Sequence, residues 1–411
     1  MPSKSTQTRA AAERIEQADV VIIGGGMVGL GLACALNGRD IKVLVLERQQ
    51  AHLRQSLGRD CRVSAIVAGN VEVLQGLGVW SYVRDAQAIR SMKVWDDQHA
   101  GSIRFDAAEI GQQALGHLIE NSHLLAAMQQ VLATSENVEI RCPVQVASVR
   151  WGSDRAQVRL DDGQQIATPL VVGADGGQSW LRKHMGIGVQ ARPYRQQGIV
   201  ATIRPELSHR GTAFQRFLPT GPLAMLPLPD GLCSIVWSAA DDEAERLLAL
   251  SDAAFAEALY LSFGPLLGRM LEVGERAAFP LQMQMASHLV RPRLVLVGDA
   301  AHTIHPLAGL GVNLGLRDAM VLAQEIVNAQ RFREDWGGLP VLDRYLKARL
   351  PDLVSVMGSM EALHQLFTRQ SPLLAQLRGL GMRLVSNGGP CKRLLMRNST
   401  GLALPLPRRI V

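Results

Sequence analysis

The sequence predicts an α/β protein in which a buried parallel sheet is interrupted by a mainly antiparallel β-sheet and closed by C-terminal helices. Strand–turn–helix units open the chain and recur near residue 294. Between about residues 194 and 285, short alternating stretches and turns rich in Gly and Pro indicate antiparallel strands. A chain of 411 residues allows two domains, or one large domain with insertions, and is long enough to bury a core.

Changes of texture along the chain predict the domain boundaries. We expect a frayed tail over residues 1–18, an α/β domain built from 19–193 and 286–340, and a β-rich domain over 194–285. A helical region follows over 341–411, and prolines are expected to break its helices because proline lacks the N–H donor. These prolines are Pro340, Pro351, Pro372 and Pro390.

The composition is that of an ordinary globular protein, with 47% hydrophobic and 19% charged residues. The five cysteines are scattered and form no CxxC pair, which fits a reducing compartment and predicts neither a disulfide framework nor a zinc site. No apolar run reaches the ~18–20 residues of a membrane span, and the polar N-terminus lacks the apolar core of a secretory signal. We therefore expect a cytoplasmic protein.

The charge is uneven along the chain, although its net value is only +6. No Asp or Glu follows Glu361, and the same Leu-rich stretch carries many basic residues. Two interpretations stand equal: peripheral docking on the inner face of an anionic membrane or on an acidic partner, and a helical bundle with a solvated basic face. Nucleic acid is not expected as a partner, because no nucleic-acid-binding fold accompanies the charge. The basic residues are Arg369, Arg378, Arg383, Lys392, Arg393, Arg397, Arg408 and Arg409.

The first motif, GGGMVG, spans Gly24 to Gly29 and lies between a predicted strand at 19–24 and a helix that begins near Met27. Gly24 permits a tight turn, Gly26 lets the backbone approach a pyrophosphate, and Gly29 permits close packing of helix and strand. This order of strand, turn and helix predicts a Rossmann-like dinucleotide site.

Residues around this turn complete the predicted site. The start of the helix, at Met27 and Val28, offers free N–H groups and a partial positive charge to phosphates. Glu47 ends the second strand eighteen residues past Gly29, where an acid can bond ribose hydroxyls. The unit alone does not separate FAD from NAD as the cofactor.

Two further strand ends carry polar residues. In Val171 to Gly186, a buried strand leads to Asp175, which caps the following turn or accepts from a nucleotide; alone, this motif can be purely structural. In Leu294 to Ala319, a buried strand delivers Asp299 to its carboxyl end, where α/β sheets bind ligands.

The loop after Asp299 has the composition of a ring-binding loop. Pro306, Gly309 and Gly311 make a loop that can lie close against a flat ring. Asn313 then starts a helix, and its positive end can stabilise the negative charge of a reduced flavin.

Taken together, segments 24–47, 173–179 and 298–318 resemble the class A flavoprotein aromatic hydroxylases, in which GxGxxG, DG and GD motifs follow in this order. The resemblance covers almost the whole chain. The stretch HPLAGLGVNLGLRD is similar to the signature of the ubiquinone-biosynthesis hydroxylases. Further stretches that resemble that group are 62–80, 115–128, 216–228 and 401–405.

The sequence departs from the family pattern at two positions. Leu310 stands where the family usually has Gln, which makes the loop beside the ring less polar. Ser122 stands where related hydroxylases often place Arg, so one expected contact to the cofactor is lost.

The resemblance implies FAD as the cofactor and assigns residues to each part of it. The residues implied to bind it are Gly24, Gly26, Met27, Val28 and Gly29 at the pyrophosphate, Glu47 and Arg48 at the adenosine ribose, Arg62 from its loop, Val146 at the adenine, Asp175 in the DG motif, Asp299 at the ribityl chain, and Pro306, Gly309, Gly311, Val312 and Asn313 at the isoalloxazine ring.

His305 and Pro306 are the candidate catalytic residues, because both lie in the loop implied to face the ring. His302 and His305 have no third ligand at metal-binding spacing, so no metal site is predicted. A hydrogen-bonded structural role is the commoner one for such histidines. Arg54 and Arg59 are interpreted as solvated loop charges.

The family's chemistry implies that NADPH or NADH reduces FAD, and that reduced FAD reacts with O2 to give a hydroperoxyflavin. The hydroperoxyflavin is then implied to hydroxylate the aromatic ring of a polyprenyl phenol or benzoquinol intermediate in ubiquinone biosynthesis. No second GxGxxG indicates a nicotinamide domain, so the nicotinamide is expected to bind transiently. The ring of this lipophilic substrate would lie near Phe217 to Leu228, and the family also implies a homo-oligomer or a ubiquinone-biosynthesis complex.

Other functions remain open on the sequence alone. A hydroxylase of a small soluble aromatic compound would have a tight polar pocket with an Arg for a carboxylate. A flavin-binding accessory subunit without hydroxylase activity is kept open by Leu310. An NAD-dependent dehydrogenase is disfavoured by the GD segment, and a yellow purified protein would exclude it.

Overall fold

The computed structural model describes residues 15–49, 55–56, 59–60, 62–96, 101–304, 311–368, 385–386 and 388–402. The α-helices of this part, in chain order, are α1 (Met27–Leu36), α2 (Ala68–Gly76), α3 (Asn121–Leu132), α4 (Trp180–His184), α5 (Asp241–Ala249), α6 (Asp252–Phe263), α7 (Gly311–Phe332), α8 (Leu339–Thr368) and α9 (Pro390–Ser399). Short 3-10 helices lie at Trp80–Tyr82, Ala107–Ile110, Pro229–Gly231, Pro265–Leu267 and Gly298–Ala300.

The strands are numbered in the same way. They are β1 (Glu16–Gln17), β2 (Val20–Ile23), β3 (Val43–Leu46), β4 (Gln55–Ser56), β5 (Arg59–Asp60), β6 (Val63–Val67), β7 (Gln87–Ile89), β8 (Ser91–Asp96), β9 (Ser102–Asp106), β10 (Gly116–Glu120), β11 (Val138–Arg141), β12 (Val146–Trp151), β13 (Ala156–Leu160), β14 (Gln165–Thr168), β15 (Leu170–Gly173), β16 (Val189–Pro205), β17 (Thr212–Leu218), β18 (Gly221–Pro227), β19 (Cys233–Ala240), β20 (Met270–Val273), β21 (Ala277–Ala286), β22 (Val290–Arg291), β23 (Leu294–Leu296) and β24 (His302–Thr303).

A six-stranded sheet in the order β11-β3-β2-β15-β23-β22 forms the centre of the α/β part. Its pairs are parallel except for β22 with β23. The central strands are buried on both faces, which explains their continuous runs of Val, Ile and Leu. One face packs on α1, α3 and α7, and the other packs on the four-stranded sheet β1-β14-β13-β12. The predicted α/β class is confirmed.

A nine-stranded sheet forms the β-rich part, in the order β24-β21-β16-β19-β18-β17-β8-β9, with β20 also paired to β16. It is mainly antiparallel, as predicted, although β8 joins β17 in parallel. Alternate residues of its strands, such as Ile199, Phe214 and Trp237, pack against α5 and α6. The opposite face of the sheet is therefore left for the α/β part.

The structure differs from the sequence analysis at several local points. Strands β8 and β9 fall in the range expected for the α/β domain, but their hydrogen bonds place them in the nine-stranded sheet. Glu16 and Gln17, expected in the frayed tail, pair with β14. Helices α5 and α6 lie within the β-rich range. The expected break at Pro351 is wrong, because α8 continues through that residue.

Helix α9 fastens the end of the described chain to both parts of the molecule. The buried Lys392 donates to Glu109, beside the nine-stranded sheet, at 2.7 Å. Just past the helix, the carbonyl of Thr400 accepts from the N–H of Gly69 at 2.9 Å, at the start of α2. None of the described helices is long and apolar enough to cross a membrane.

Candidate cofactor site

Three strand ends meet at one edge of the six-stranded sheet. Strands β2, β15 and β23 are parallel neighbours, so their carboxyl ends lie side by side. The N–H of Ala174 donates to Ile23 at 2.8 Å, and the N–H of Val297 donates to Gly173 at 2.9 Å. The GGGMVG, GADG and GDAAH segments follow these strands, at the edge where α/β sheets bind ligands.

The first turn requires glycine at two positions for reasons internal to the protein. Gly24 has φ +113°, and a Cβ there would lie 2.3 Å from the carbonyl oxygen of Ala174. A Cβ on Gly29 would lie 2.0 Å from the carbonyl oxygen of Gly24. Both distances are far below any real carbon contact, so these glycines let α1, β2 and the β15 turn approach one another.

Gly26 has no such internal reason to be glycine. Its φ of −74° and ψ of −179° are extended values that any residue adopts. A Cβ on Gly26 would meet no atom within 4 Å. The start of α1 therefore has open space in front of its free N–H groups, including those of Met27 and Val28. A pyrophosphate would fit in this space, and its binding there stays a prediction.

Glu47 lies at the end of β3 and faces this turn. Its carboxylate accepts from the N–H of Gly25 at 2.6 Å and from the N–H of Gln49 at 2.8 Å. Its own carbonyl accepts from the N–H of Val144 at 2.8 Å, which brings the segment before β12 alongside. Each carboxylate oxygen keeps a further lone pair, so Glu47 can still accept from ribose hydroxyls.

The other residues expected near the adenosine differ in exposure. Val146 begins β12 and its side chain is buried in the core between the two sheets, so its backbone is the part available to a ligand. Arg48 and Arg62 are exposed to solvent. Contact of these three residues with the cofactor stays a prediction.

Asp175 joins the second turn to α4. One carboxylate oxygen accepts from the N–H of Leu181 at 3.0 Å, whereas the buried Oδ1 has no hydrogen-bond partner among the described residues. Nearby, the buried Arg182 donates to the carbonyls of Gly177 at 2.7 Å and of Ala300 at 2.8 Å. Arg182 thus ties the second turn to the third, and the sequence analysis missed it.

Asp299 lies at the third strand end. Its side chain is exposed to solvent, yet burial by the surrounding protein raises the pKa of its carboxyl above the ordinary value. Of its neighbours, His302 opposes that rise in pKa and Asp318 adds to it. An accessible carboxyl at a strand end is suited to hydrogen bonds with the hydroxyls of a bound ligand.

The third turn packs directly on the first. Gly298 has φ +58°, and a Cβ there would lie 3.0 Å from Val28 of α1. A Cβ on Gly315 in α7 would lie 2.5 Å from the same Val28 side chain and 3.1 Å from Gly298. Only glycines allow α1, the third turn and α7 to approach so closely, and this contact fixes the start of α7 beside the GGGMVG turn.

A buried carboxylate, that of Asp318, holds the third turn in place. Asp318 has no solvent exposure and accepts from the N–H of Gly298 at 2.9 Å. It also lies 2.6 Å from Nε2 of His302 and accepts from Nε of Arg349 at 2.7 Å. Arg349 in turn donates to Asp352 at 2.6 Å. Burial raises the pKa of Asp318, but His302 and Arg349 outweigh that effect and hold it below its usual value.

Asn313 binds other parts of the protein with its side chain. Its Oδ1 accepts from the N–H of Val67 at 3.0 Å and from Nδ2 of Asn70 at 3.0 Å. Its Nδ2 donates to the carbonyl of Ala65 at 2.7 Å. These bonds anchor the first turn of α7 to β6 and α2. Any contact of this position with the cofactor would therefore be made by the backbone at the start of α7, with Gly311 and Val312.

Several sequence interpretations change or fall outside the described residues. Arg59 is not a solvated charge, because it donates to Glu120 at 2.8 Å and also pairs with Asp230. Ser122 uses its N–H to donate to Asp60 at 3.3 Å. The described residues contain no group of three His, Cys, Asp or Glu that could hold a metal ion. Of the residues discussed for the site, those outside the described ranges are Arg54, His305, Pro306, Gly309 and Leu310. The predicted helix break at Pro372 and the basic residues Arg369, Arg378, Arg383, Arg408 and Arg409 lie outside them too.

Removing the charge of Asp318 tests its structural role. We expect Asp318→Asn to lower the free energy of unfolding by about 3 kcal/mol, because Arg349 loses a buried counter-charge. Since folding lowers the pKa of Asp318, its stabilisation is full above the unfolded pKa and is lost as the pH falls through the folded one. The loss caused by Asp318→Asn should therefore shrink below about pH 4.

Denaturant titrations at several pH values measure this effect. Asp343→Asn is the matched control, because Asp343 is exposed on α8. If Asp318→Asn were as stable as Asp343→Asn at neutral pH, the proposed role of the buried carboxylate would be wrong.

Comparison with known proteins agrees with this geometry. Residues 17–357 match the model of a family described as FAD binding domain. Ubiquinone hydroxylase UbiL of Rhodospirillum rubrum is 38% identical, over 97% of this chain and 93% of the relative. The 3-demethoxyubiquinol 3-hydroxylase of Escherichia coli is 36% identical, over 93% of this chain and 98% of the relative.

More distant proteins are also similar, in sequence or in fold. The mitochondrial ubiquinone biosynthesis monooxygenase COQ6 of Homo sapiens is 31% identical, over 92% of this chain and 91% of the relative. The crystal structure of p-nitrophenol 4-monooxygenase PnpA from Pseudomonas putida superposes with a TM-score of 0.77, over 94% of this chain and 97% of that one, at 19% identity. The chain therefore belongs to the FAD-binding-domain family of FAD-dependent monooxygenases, in the group of the ubiquinone-biosynthesis hydroxylases.

Proposed function

We propose that this chain hydroxylates the aromatic ring of a polyprenyl phenol or benzoquinol intermediate in ubiquinone biosynthesis, with FAD, NAD(P)H and O2. The main support is the likeness over nearly the full chain to relatives named as hydroxylases of ubiquinone and demethoxyubiquinol. The convergence of the three cofactor motifs at one sheet edge adds support, because each strand end offers a group of the kind that FAD requires.

The proposed binding roles follow the order of these strand ends. Gly24 to Gly29 would hold the pyrophosphate, Glu47 with Arg48 the adenosine ribose, and the backbone of Val146 the adenine. Asp299 would accept hydrogen bonds from the ribityl hydroxyls. Asp175, in the turn between those of Gly24 and Asp299, offers a carboxylate oxygen that has no partner among the described residues. For Arg62 and the loop from His305 to Asn313, we propose the contacts with the cofactor that the family resemblance implies.

Bound FAD supplies the activation of O2, which protein side chains alone cannot provide. The chain contributes position and shielding. The turns at Gly26 and Gly298 would hold the cofactor, and the face of the nine-stranded sheet opposite α5 and α6 would orient the aromatic ring. Exclusion of water from this space favours transfer of oxygen to the ring over release of peroxide.

The quinone profile of the host tests the proposed reaction. Deletion of the gene should cause a polyprenyl phenol that lacks one ring hydroxyl to accumulate, and extraction followed by mass spectrometry would reveal the ring position. Restoration of ubiquinone by the intact gene is the control. Unchanged ubiquinone, in a host with no redundant hydroxylase, would overturn the proposal and favour a small soluble aromatic substrate.

Substitution of Gly26 tests the pyrophosphate site. In Gly26→Ala the added methyl meets no protein atom, so the melting temperature of the FAD-free protein should barely change. The methyl would occupy the space assigned to the pyrophosphate, and the dissociation constant of FAD should rise by about tenfold or more, which corresponds to about 1.4 kcal/mol. Fluorescence quenching of free FAD measures this constant.

Gly358→Ala is the matched control, because a Cβ on Gly358 in α8 also meets nothing within 4 Å. An FAD affinity of Gly26→Ala equal to that of Gly358→Ala would contradict the assignment of the pyrophosphate to this turn.

We further propose that α9 docks the protein on an anionic membrane surface, where a polyprenyl substrate resides. Leu394 and Leu395 are 60% and 49% exposed, and they lie between the exposed Arg393 and Arg397. Lys392 faces the other way and is paired with Glu109, so the exposed side of the helix combines leucine and arginine. Association with a second copy or with other enzymes of the pathway stays a prediction of the family resemblance.

Vesicle flotation tests the docking helix. The double variant Leu394→Glu with Leu395→Glu should bind phosphatidylglycerol vesicles about tenfold or more weakly, because it loses two apolar contacts and adds repulsion. Leu261→Glu with Leu271→Glu is the control, since these leucines are also exposed but lie on the β-rich part. Equal binding by both double variants would exclude α9 as the contact.

A further inference from the structure

One face of the nine-stranded sheet packs on α5 and α6, and the opposite face is turned to the cofactor part of the molecule. At the edge of this second face, Lys392 of α9 lies over the ring of Phe105. Ala213 of β17 packs with Leu118 of β10, and this contact includes Val63 and Ala65 of β6. The carbonyl of Ala65 accepts from Asn313, which links this region to the start of α7. The face that contains Ala213 therefore borders the space beside the third cofactor motif.

Gln215 lies on this same face, two residues beyond Ala213. Its neighbours along β17, Phe214 and Arg216, point to the helix side: Phe214 packs in the core with α6, and Arg216 donates to the carbonyl of Ser262. Side chains alternate between the faces of a sheet, so Gln215 points to the opposite side. It is only 6% exposed.

The amide of Gln215 has no hydrogen-bond partner within the part of the chain that the structure describes. The residues level with it on the neighbouring strands are Val94 of β8 and Ala224 of β18, and Val236 follows on β19. None of these side chains can satisfy an amide. Although the side chain is mostly buried, its amide atoms keep contact with solvent. A ligand that enters this space would displace that water and take over its hydrogen bond to the amide.

The charges near Gln215 narrow the class of ligand. The basic side chains of β8 and β17 are on the helix face, where Lys93 lies 5.8 Å from the centre of the Trp95 ring and Arg216 binds Ser262. On β8 and β17, the titratable residue on the face of Gln215 is Asp96, which pairs with Phe217 in the register of the two strands. Lys392 of α9 lies over Phe105 at the edge of this face, where Glu109 already pairs with it. A carboxylate on the ring would therefore find no basic side chain on this face of these two strands.

We propose that Gln215 is a substrate-binding residue whose amide N–H donates to an oxygen substituent of a neutral aromatic ring. Gln215 must act as the donor if it is to bind both kinds of substituent. Hydroxyl and methoxy oxygens both accept a hydrogen bond, whereas a methoxy group cannot donate one. This inference rests on the proposed function and adds the residue that selects an oxygenated, uncharged ring. A site built around such a bond rejects an analogue that lacks the oxygen, because the amide is then left unpaired.

Binding of short-chain substrate analogues tests the inference. Geranyl phenols with hydroxyl and methoxy substituents form the panel, and in each analogue one ring oxygen is replaced by a carbon group of the same size. The dissociation constants come from the change in flavin absorbance of the FAD-loaded protein. In the unaltered protein, one replacement should weaken binding by about tenfold or more.

In Gln215→Leu, the same replacement should leave the dissociation constant unchanged within about twofold, because no donor remains to be lost. Gln215→Glu keeps the size of the side chain and removes the N–H, so it serves if Gln215→Leu lowers the FAD content. Gln157→Leu is the control, since Gln157 is an exposed strand residue of the four-stranded sheet. The control should keep the full tenfold preference.

The outcomes separate this inference from the proposed function. If the unaltered protein hydroxylates the geranyl phenols and Gln215→Leu keeps the same preference among the analogues, the role of Gln215 is wrong and the function stands. If the unaltered protein neither binds nor hydroxylates any of these phenols, the proposed function itself fails. Tighter binding of a carboxylated ring than of its neutral counterpart would also overturn the inference.

Discussion

The position of the third cofactor turn depends on one buried carboxylate. Asp318 accepts from the backbone of Gly298, lies against His302 and binds Arg349, all without access to water. An isolated buried carboxylate would be very unfavourable, so these partners must be present together. The same contacts join α7, α8 and the strand end that carries Asp299. Because glycines let Val28 of α1 touch this turn, the geometry of the first motif is coupled to that of the third.

The sequence predicted the elements whose signal is local. Strands such as β2 and β15 are continuous apolar runs because both of their faces are buried, and the helix that follows β2 begins at Met27 as expected. Gly29 was recognisable because its steric role, against Gly24, lies within a few residues of sequence, whereas the contact that requires glycine at position 24 is with the distant Ala174. The family resemblance then identified FAD, which spacing and composition alone left undecided between two nucleotides.

The remaining features depend on contacts between distant residues. Arg59, interpreted as solvated, is paired with Glu120 and Asp230, far along the chain. Pro351 stays inside α8 because its neighbours Arg349 and Asp352 are held by the buried network around Asp318. Nothing in the alternation of β8 predicted that it would pair with β17, more than a hundred residues later. Pairing between residues so far apart produces no local pattern in the sequence from which it could be predicted.

The attachment of α9 has a consequence for folding. The carbonyl of Thr400 satisfies the N–H of Gly69, and Lys392 neutralises Glu109, although these partners lie far apart in the sequence. Contacts that close such long loops cost chain entropy before they stabilise the fold, so they form slowly. Until α9 is in place, the start of α2 and the 3-10 helix at Ala107–Ile110 lack these partners. Docking of α9 therefore makes the stability of the two parts of the molecule depend on one another.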